Sequence, residues 1–172
     1  MAQELVQLTK SEKISLTTTE VAKQVRTQLK AEFPDCKFSV TAESYSMGSC
    51  LHVTLLKADR RVMLKPEEVT DKAILSYASR GYGEDKEELL RDRQRKKYHQ
   101  LSEYASLNAY DVNVWNNGVF LTEKGHNLLK RVTMIVKQYN YNNSDSMTDY
   151  YDINFAEQYQ LGTYNKDFED GA

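Results

Sequence analysis

The hydrophobic period of this chain switches from four to two across Phe33-Pro34, and that switch limits what the first third of the sequence can fold into. Before it, Thr17-Thr-Thr-Glu20 reads as a capping box, with the Thr17 hydroxyl accepting from the Glu20 amide and the Glu20 carboxylate reaching back. Val21, Val25, Leu29 and Phe33 then recur every fourth residue with Ala22 beside them, the apolar stripe of a helix. Pro34 ends it, because a proline disfavours helical geometry in the residue before it. After it, Phe38, Val40 and Ala42 alternate with Lys37, Ser39 and Thr41, and Leu51, Val53 and Leu55 alternate with Cys50, His52 and Thr54. Tyr45-Ser-Met-Gly48 lies between the two runs and predicts a hairpin. An isolated hairpin is marginal in water, so a helix or a third strand must cover it.

The middle of the chain reads as helical. Pro66 suits the first turn of a helix that places Val69, Ala73, Ile74 and Tyr77 on one side. Residues 84–107 open with acids and continue with basic groups, an order that complements the helix dipole and allows i,i+4 ion pairs. Asn117-Gly118, between VNVW and VFLT, predicts a second hairpin turn. A final helix is expected from Thr122 to Tyr139, with Leu128, Leu129, Val132, Ile135, Val136 and Tyr139 at helical spacing. The expected class is α+β: a small antiparallel sheet built around a hairpin, packed against helices, with a helical insertion over residues 60–109. At 172 residues, with no repeat and no long linker, a single domain over 1–172 is expected.

Charge is unevenly spread. The whole chain has 23 basic and 25 acidic residues, a net charge of −2, which excludes a uniform basic field for holding polyphosphate. Residues 1–139 carry 22 basic and 18 acidic groups, a balance of +4; residues 140–172 carry Lys166 and seven acids, a balance of −6. The same closing segment holds Tyr141, Tyr150, Tyr151, Tyr159 and Tyr164 with Phe155 and Phe168. Disordered acidic tails lack such an aromatic load, so the segment is expected to fold back onto the body up to about Tyr164. Residues 165–172 are expected to fray. Two cysteines without CxxC spacing give no disulfide framework and fit a reducing cytosol. No apolar run reaches membrane-span length and MAQELVQLTKSEK lacks a signal-peptide core, so a cytoplasmic location with no membrane contact is expected.

Four groups of residues could carry chemistry. Asp145, Asp149 and Asp152, among several asparagines, offer hard oxygen ligands for a divalent cation; the plainer alternative is that they cap turns. Arg91, Arg93, Arg95, Lys96 and Lys97 could follow a phosphate backbone, or form a solvated, ion-paired helix face. Cys36, Cys50 and His52 could converge as soft ligands, although free cysteines more often pack as small hydrophobes. Trp115 and the tyrosines, Tyr150 and Tyr151 among them, could form a recognition surface or belong to the core. The sequence contains no Walker A, GxGxxG or GxSxG motif, and His52, His99 and His126 form no HExxH or HxxxH pattern.

Two segments resemble a known family. TTTEVAKQVRTQLKAEFPDCKFSV followed by YSMGSCLHVTL, and QYNYNNSDSMTDYYDINF near the end, are similar to the opening and closing of a large polyvalent protein-associated domain. The resemblance covers roughly residues 17–56 and 138–162, while residues 60–137 read as longer and more helical than the family's connection. It implies a small α+β module of phages and conjugative elements, with no settled activity and no catalytic residues to carry over. On that basis the expected function is a non-enzymatic binding module. Such a module would act as an inhibitor of host defence, of the anti-CRISPR kind, docking on a host protein or ribonucleoprotein. Arg91, Arg93, Arg95, Lys96, Lys97, Tyr150 and Tyr151 are the expected contacts, with nucleic acid reached through residues 91–97, and no cofactor is expected. The alternative is a Mg²⁺- or Mn²⁺-dependent nuclease or phosphodiesterase with Asp145, Asp149 and Asp152 as ligands. Pairing of the basic body with the acidic tail would make a homodimer.

Overall fold

Thr17 caps a helix as its sequence predicts: its hydroxyl accepts from the Glu20 amide at 3.2 Å, and its own amide donates to the Glu20 carboxylate at 2.8 Å. The computed structural model describes residues 5, 7–65, 68, 105–107, 121–145, 147–148, 152–163 and 168–172. Among these, a six-residue helix α1 (Lys10–Ser15) precedes the capped helix α2 (Thr18–Glu32). The strands β1 (Lys37–Tyr45) and β2 (Gly48–Lys57) follow, then the short strand β3 (Ala105–Leu107), the helix α3 (Glu123–Lys137) and the strand β4 (Ala156–Leu161).

The four strands form one sheet in the order β1-β2-β4-β3. β1 and β2 pair antiparallel, with Val40 opposite Val53 and Ala42 opposite Leu51. β4 lies parallel to β2, Val53 opposite Tyr159 and Leu55 opposite Leu161, and β3 closes antiparallel on β4. The α+β class therefore holds, but the sheet is mixed where an antiparallel one was expected. A parallel pair needs a crossover rather than a tight turn, and α3 lies in the connection that returns the chain to β4.

One face of the sheet is apolar because the alternation of the strands puts it there. Val40, Leu51, Val53, Leu55, Tyr159 and Leu161 are buried with the stripe of α2 (Val21, Ala22, Val25, Leu29) and that of α3 (Leu128, Leu129, Val132, Ile135, Val136). Tyr139, placed in sequence on the same stripe, is also buried. Arg131 of α3 ties the two helices through a fork on Glu32, with N···O distances of 2.6 and 3.1 Å and Glu32 only 7% exposed.

Residues 168–172 are anchored, which corrects the expected fraying at this end. Phe168 is buried; the Glu169 amide donates to the Leu56 carbonyl and its carbonyl accepts from Ala58. The Asp170 carboxylate accepts from the Val62 and Met63 amides at 2.6 and 2.9 Å. The segment after β2 is thereby held from one side by the chain's end and from the other by α3. Thr122, the N-cap of α3, donates to the Arg61 carbonyl, and its backbone amide donates to the Val62 carbonyl.

Residues 105–107 form a strand, not the end of a helix over 84–107, and the reason is the free edge of β4 that they pair with. Of the expected insertion, residues 60–65 are described and are not helical; apart from Glu68 and residues 105–107 the rest of it, with the helix opening at Pro66, the turn at Asn117-Gly118, and Trp115, lies outside the described residues.

Gly125 packs its backbone against Val62, and a Cβ at that position would overlap the Val62 backbone. Gly125→Ala should therefore lower the free energy of unfolding by about 1–3 kcal/mol, the usual cost of overpacking. Urea denaturation would show it as a lower midpoint at unchanged slope.

Candidate binding cleft

Asparagine 140 stands just past the end of α3, and its side chain joins that helix end to the start of β4. Nδ2 donates to the Phe155 carbonyl at 2.9 Å and to Glu157 Oε1 at 2.6 Å, while Oδ1 accepts from the amides of Tyr141 and Phe155. Only a neutral amide carries the donor and the acceptor this position needs. Asn154 makes the complementary tie: its Nδ2 donates to the carbonyls of Lys13 and Tyr139. Lys13 in turn donates from Nζ to the Asn140 carbonyl at 2.8 Å, which docks α1 on the same corner.

These ties shape a cleft of about 430 Å³ lined by Lys137, Asn140, Tyr141, Asn142, Ile153, Phe155, Ala156 and Glu157. Asn142 and Ile153 face each other across a bridge, and the Asn143 amide donates to the Asp152 carbonyl, so the two walls belong to one folded-back loop. Ile153 is 42% exposed and Phe155 is buried at the base. Glu157 is held at both oxygens, by Asn140 and by the Tyr159 hydroxyl, which donates to Oε2 at 2.8 Å. Burial of Tyr159, with the Glu157 charge beside it, pushes its phenol far above the usual range, so the hydroxyl remains a proton donor.

The acids singled out in sequence have local duties. Asp145 caps a turn by accepting from the Met147 amide at 2.9 Å. Asp152 pairs with Lys10 at 3.0 Å, and this partner is the main cause of a carboxyl held below its usual range. Lys10 also lies 4.8 Å from the centre of the Tyr141 ring. Asp149 lies outside the described residues, and among the described residues no group of three His, Cys, Asp or Glu could hold a metal ion. Arg91, Arg93, Arg95, Lys96, Lys97, Tyr150 and Tyr151 also lie outside them.

The soft-ligand constellation does not assemble. Cys36 precedes β1 beside Asp59, whereas Cys50 sits near the hairpin turn, seven residues along β2 from Lys57, which pairs with Lys37. At strand rise that is roughly 20 Å. His52 turns to Glu43 at 3.1 Å. Burial raises both thiols, Cys36 to about 11, and Glu43 and Glu157 add to the effect at Cys50. Neither cysteine is an activated nucleophile. Asp59, next to Cys36, is pushed down to about 2, chiefly by its hydrogen bonds from Arg60.

Sequence reasoning missed the cleft because its central residues are asparagines, whose role depends on the backbone groups they meet. The YNYNN run signalled only polarity. No helix among the described residues is long and apolar enough to cross a membrane.

The family model for large polyvalent protein associated domain 29 matches residues 16–108, or 93 of the 172 residues. The match begins where the resemblance was read and runs on through much of the supposedly divergent middle. It ends before residues 138–162, so the family does not account for the closing segment in the way the sequence suggested. No curated protein and no solved structure matches the chain.

Two outcomes follow from this geometry. Asn140→Ala strips the acceptor from two amides and a donor from Glu157, and should cost about 1–3 kcal/mol of stability by denaturant titration. With a pKa near 11, Cys36 should alkylate with iodoacetamide at pH 8 about a hundredfold slower than a free thiol, its rate rising with pH towards 11.

Proposed function

Because the chain belongs to the large polyvalent protein associated domain 29 family, which links it to phages and mobile elements, we propose that it is a non-enzymatic binding module. Its partner on this reading is a host protein or ribonucleoprotein, and its effect is inhibition of a host defence in the manner of an anti-CRISPR. The observation that supports binding is the cleft at the end of α3, where the polar side chains are engaged in fixing backbone and each other. Groups so committed present a preformed surface, which lowers the ordering cost of association. An exposed Ile153 beside amides and a lysine gives that surface the mixed character of a protein-binding site. Arg91, Arg93, Arg95, Lys96, Lys97, Tyr150 and Tyr151 are the further contacts proposed, with residues 91–97 reaching any RNA in the partner.

The metal-dependent nuclease reading requires Asp152 to give up Lys10 and Asp145 to leave its turn. The ion pair and the cap favour the binding module over it.

A photo-reactive amino acid placed at Ile153 tests the proposal in cells that carry the element. One cross-linked host species, competed by the unmodified protein and absent when the label is at Glu123 on the first turn of α3, is the expected result. Equal labelling from both positions, or none from Ile153, would overturn docking at the cleft. The purified protein should leave labelled RNA and DNA intact with Mg²⁺ or Mn²⁺; cleavage that disappears in Asp152→Ala would instead establish the nuclease.

A further inference from the structure

We propose that the cleft takes an arginine side chain from an extended segment of a protein partner, with Glu157 as the anchoring carboxylate. This deepens the docking reading above and rests on it. Both Glu157 oxygens already accept from neutral donors, Asn140 Nδ2 and the Tyr159 hydroxyl, which fix the carboxylate's orientation without neutralising its charge. Among the described residues no cation pairs with it. A charged acceptor held in place on the lining of a concave site, with lone pairs still open, suits a donor fork that brings a positive charge.

The surroundings favour a guanidinium over other occupants. The 42%-exposed Ile153 side chain and the half-buried Tyr141 line the cleft and offer contact to an aliphatic stem and a planar head. The carboxyl end of α3, with its partial negative charge, opens onto the same space. A phosphate or carboxylate of a ligand would meet the Glu157 charge instead. Asn142 has its Oδ1 engaged by the Ser144 amide, leaving its NH₂ for a carbonyl of the incoming chain. Lys137, on the lining of the same cleft, competes with the ligand for Glu157 and limits affinity.

Amide-shift titration of the full chain with acetyl-Gly-Ala-Arg-Ala-Gly-amide, and with the same peptide carrying citrulline for arginine, tests this directly. Citrulline keeps the planar shape and removes the charge. The arginine peptide should move the amides of Asn140, Tyr141 and Glu157 and bind at least about tenfold more tightly than the citrulline peptide, a gap that one charge-assisted pair readily gives. Glu157→Gln should erase that preference, and Lys137→Ala should strengthen arginine binding severalfold. Equal binding of the two peptides, or no shift at these amides by either up to about 10 mM, overturns the proposal. If Glu157→Gln does not fold, the comparison of the two peptides on the unaltered chain still decides. Cross-linking from Ile153 without any arginine preference leaves the docking reading standing and removes only the basic occupant.

Discussion

The parallel pairing of β4 with β2 is the constraint on which the rest of the structure depends. An acidic, tyrosine-laden segment would gain little by lying on a surface, yet as an internal strand it places Tyr159 and Leu161 against Val53 and Leu55 in the core. β2 pairs with it along its whole length and β3 with its last three residues, Tyr159–Leu161. Phe155 and Phe168 are buried before and after that strand in sequence, so with Tyr159 these three aromatic residues help to hold the segment in the fold. Of its described acids, Asp152 pairs with Lys10 and Asp170 accepts from backbone amides.

That arrangement explains why the cleft lies where it does. A helix that ends against the beginning of a parallel strand leaves carbonyls at one end and amides at the other without regular partners. Asn140 and Asn154 answer both with neutral side chains, at points where the chain must reverse direction between α3 and β4. An aspartate at 140 would lose the donor and put a second negative charge within hydrogen-bonding distance of Glu157. The amide thus helps to fix the orientation of the carboxylate that lines the cleft.

Elements with a strong local period were legible. The capping box at Thr17, the stripe from Val21 to Leu29, the hairpin and the helix from Thr122 emerged close to their expected bounds, because period and cap are local properties. Thr9 and Glu12 form a second capping box, but α1 is six residues long and buries none of them, so no apolar stripe accompanied the signal. β4 has only Tyr159 and Leu161 fully turned inward, between glutamines, too few to set a period of two against the surrounding polar run. Its parallel direction depends on β2, some hundred residues earlier, and the anchoring of residues 168–172 depends on amides near Val62. Neither partner is visible from local spacing. Clustering of the acids in sequence left ligation and capping both open, and only the fold shows Asp145 accepting from a turn amide and Asp152 pairing with a lysine.

The family match and the cleft divide the chain in an informative way. Residues 16–108 include α2, the hairpin and β3, which together supply both neighbours of β4 in the sheet. The described residues that line the cleft, Lys137, 140–142, Ile153 and 155–157, lie beyond the matched region, and the cleft reaches that region through the β2–β4 ladder. The shared part therefore acts as a frame that fixes where a closing segment can enter, while the chemistry at the helix end is set by side chains such as Asn140, Tyr141 and Glu157. A frame of this kind tolerates changes in the loop walls without disturbing its core, because Asn142 and Ile153 contribute to the cleft and not to the buried cluster. Substitution at these two walls would leave the packing of α2, β1 and β2 in place.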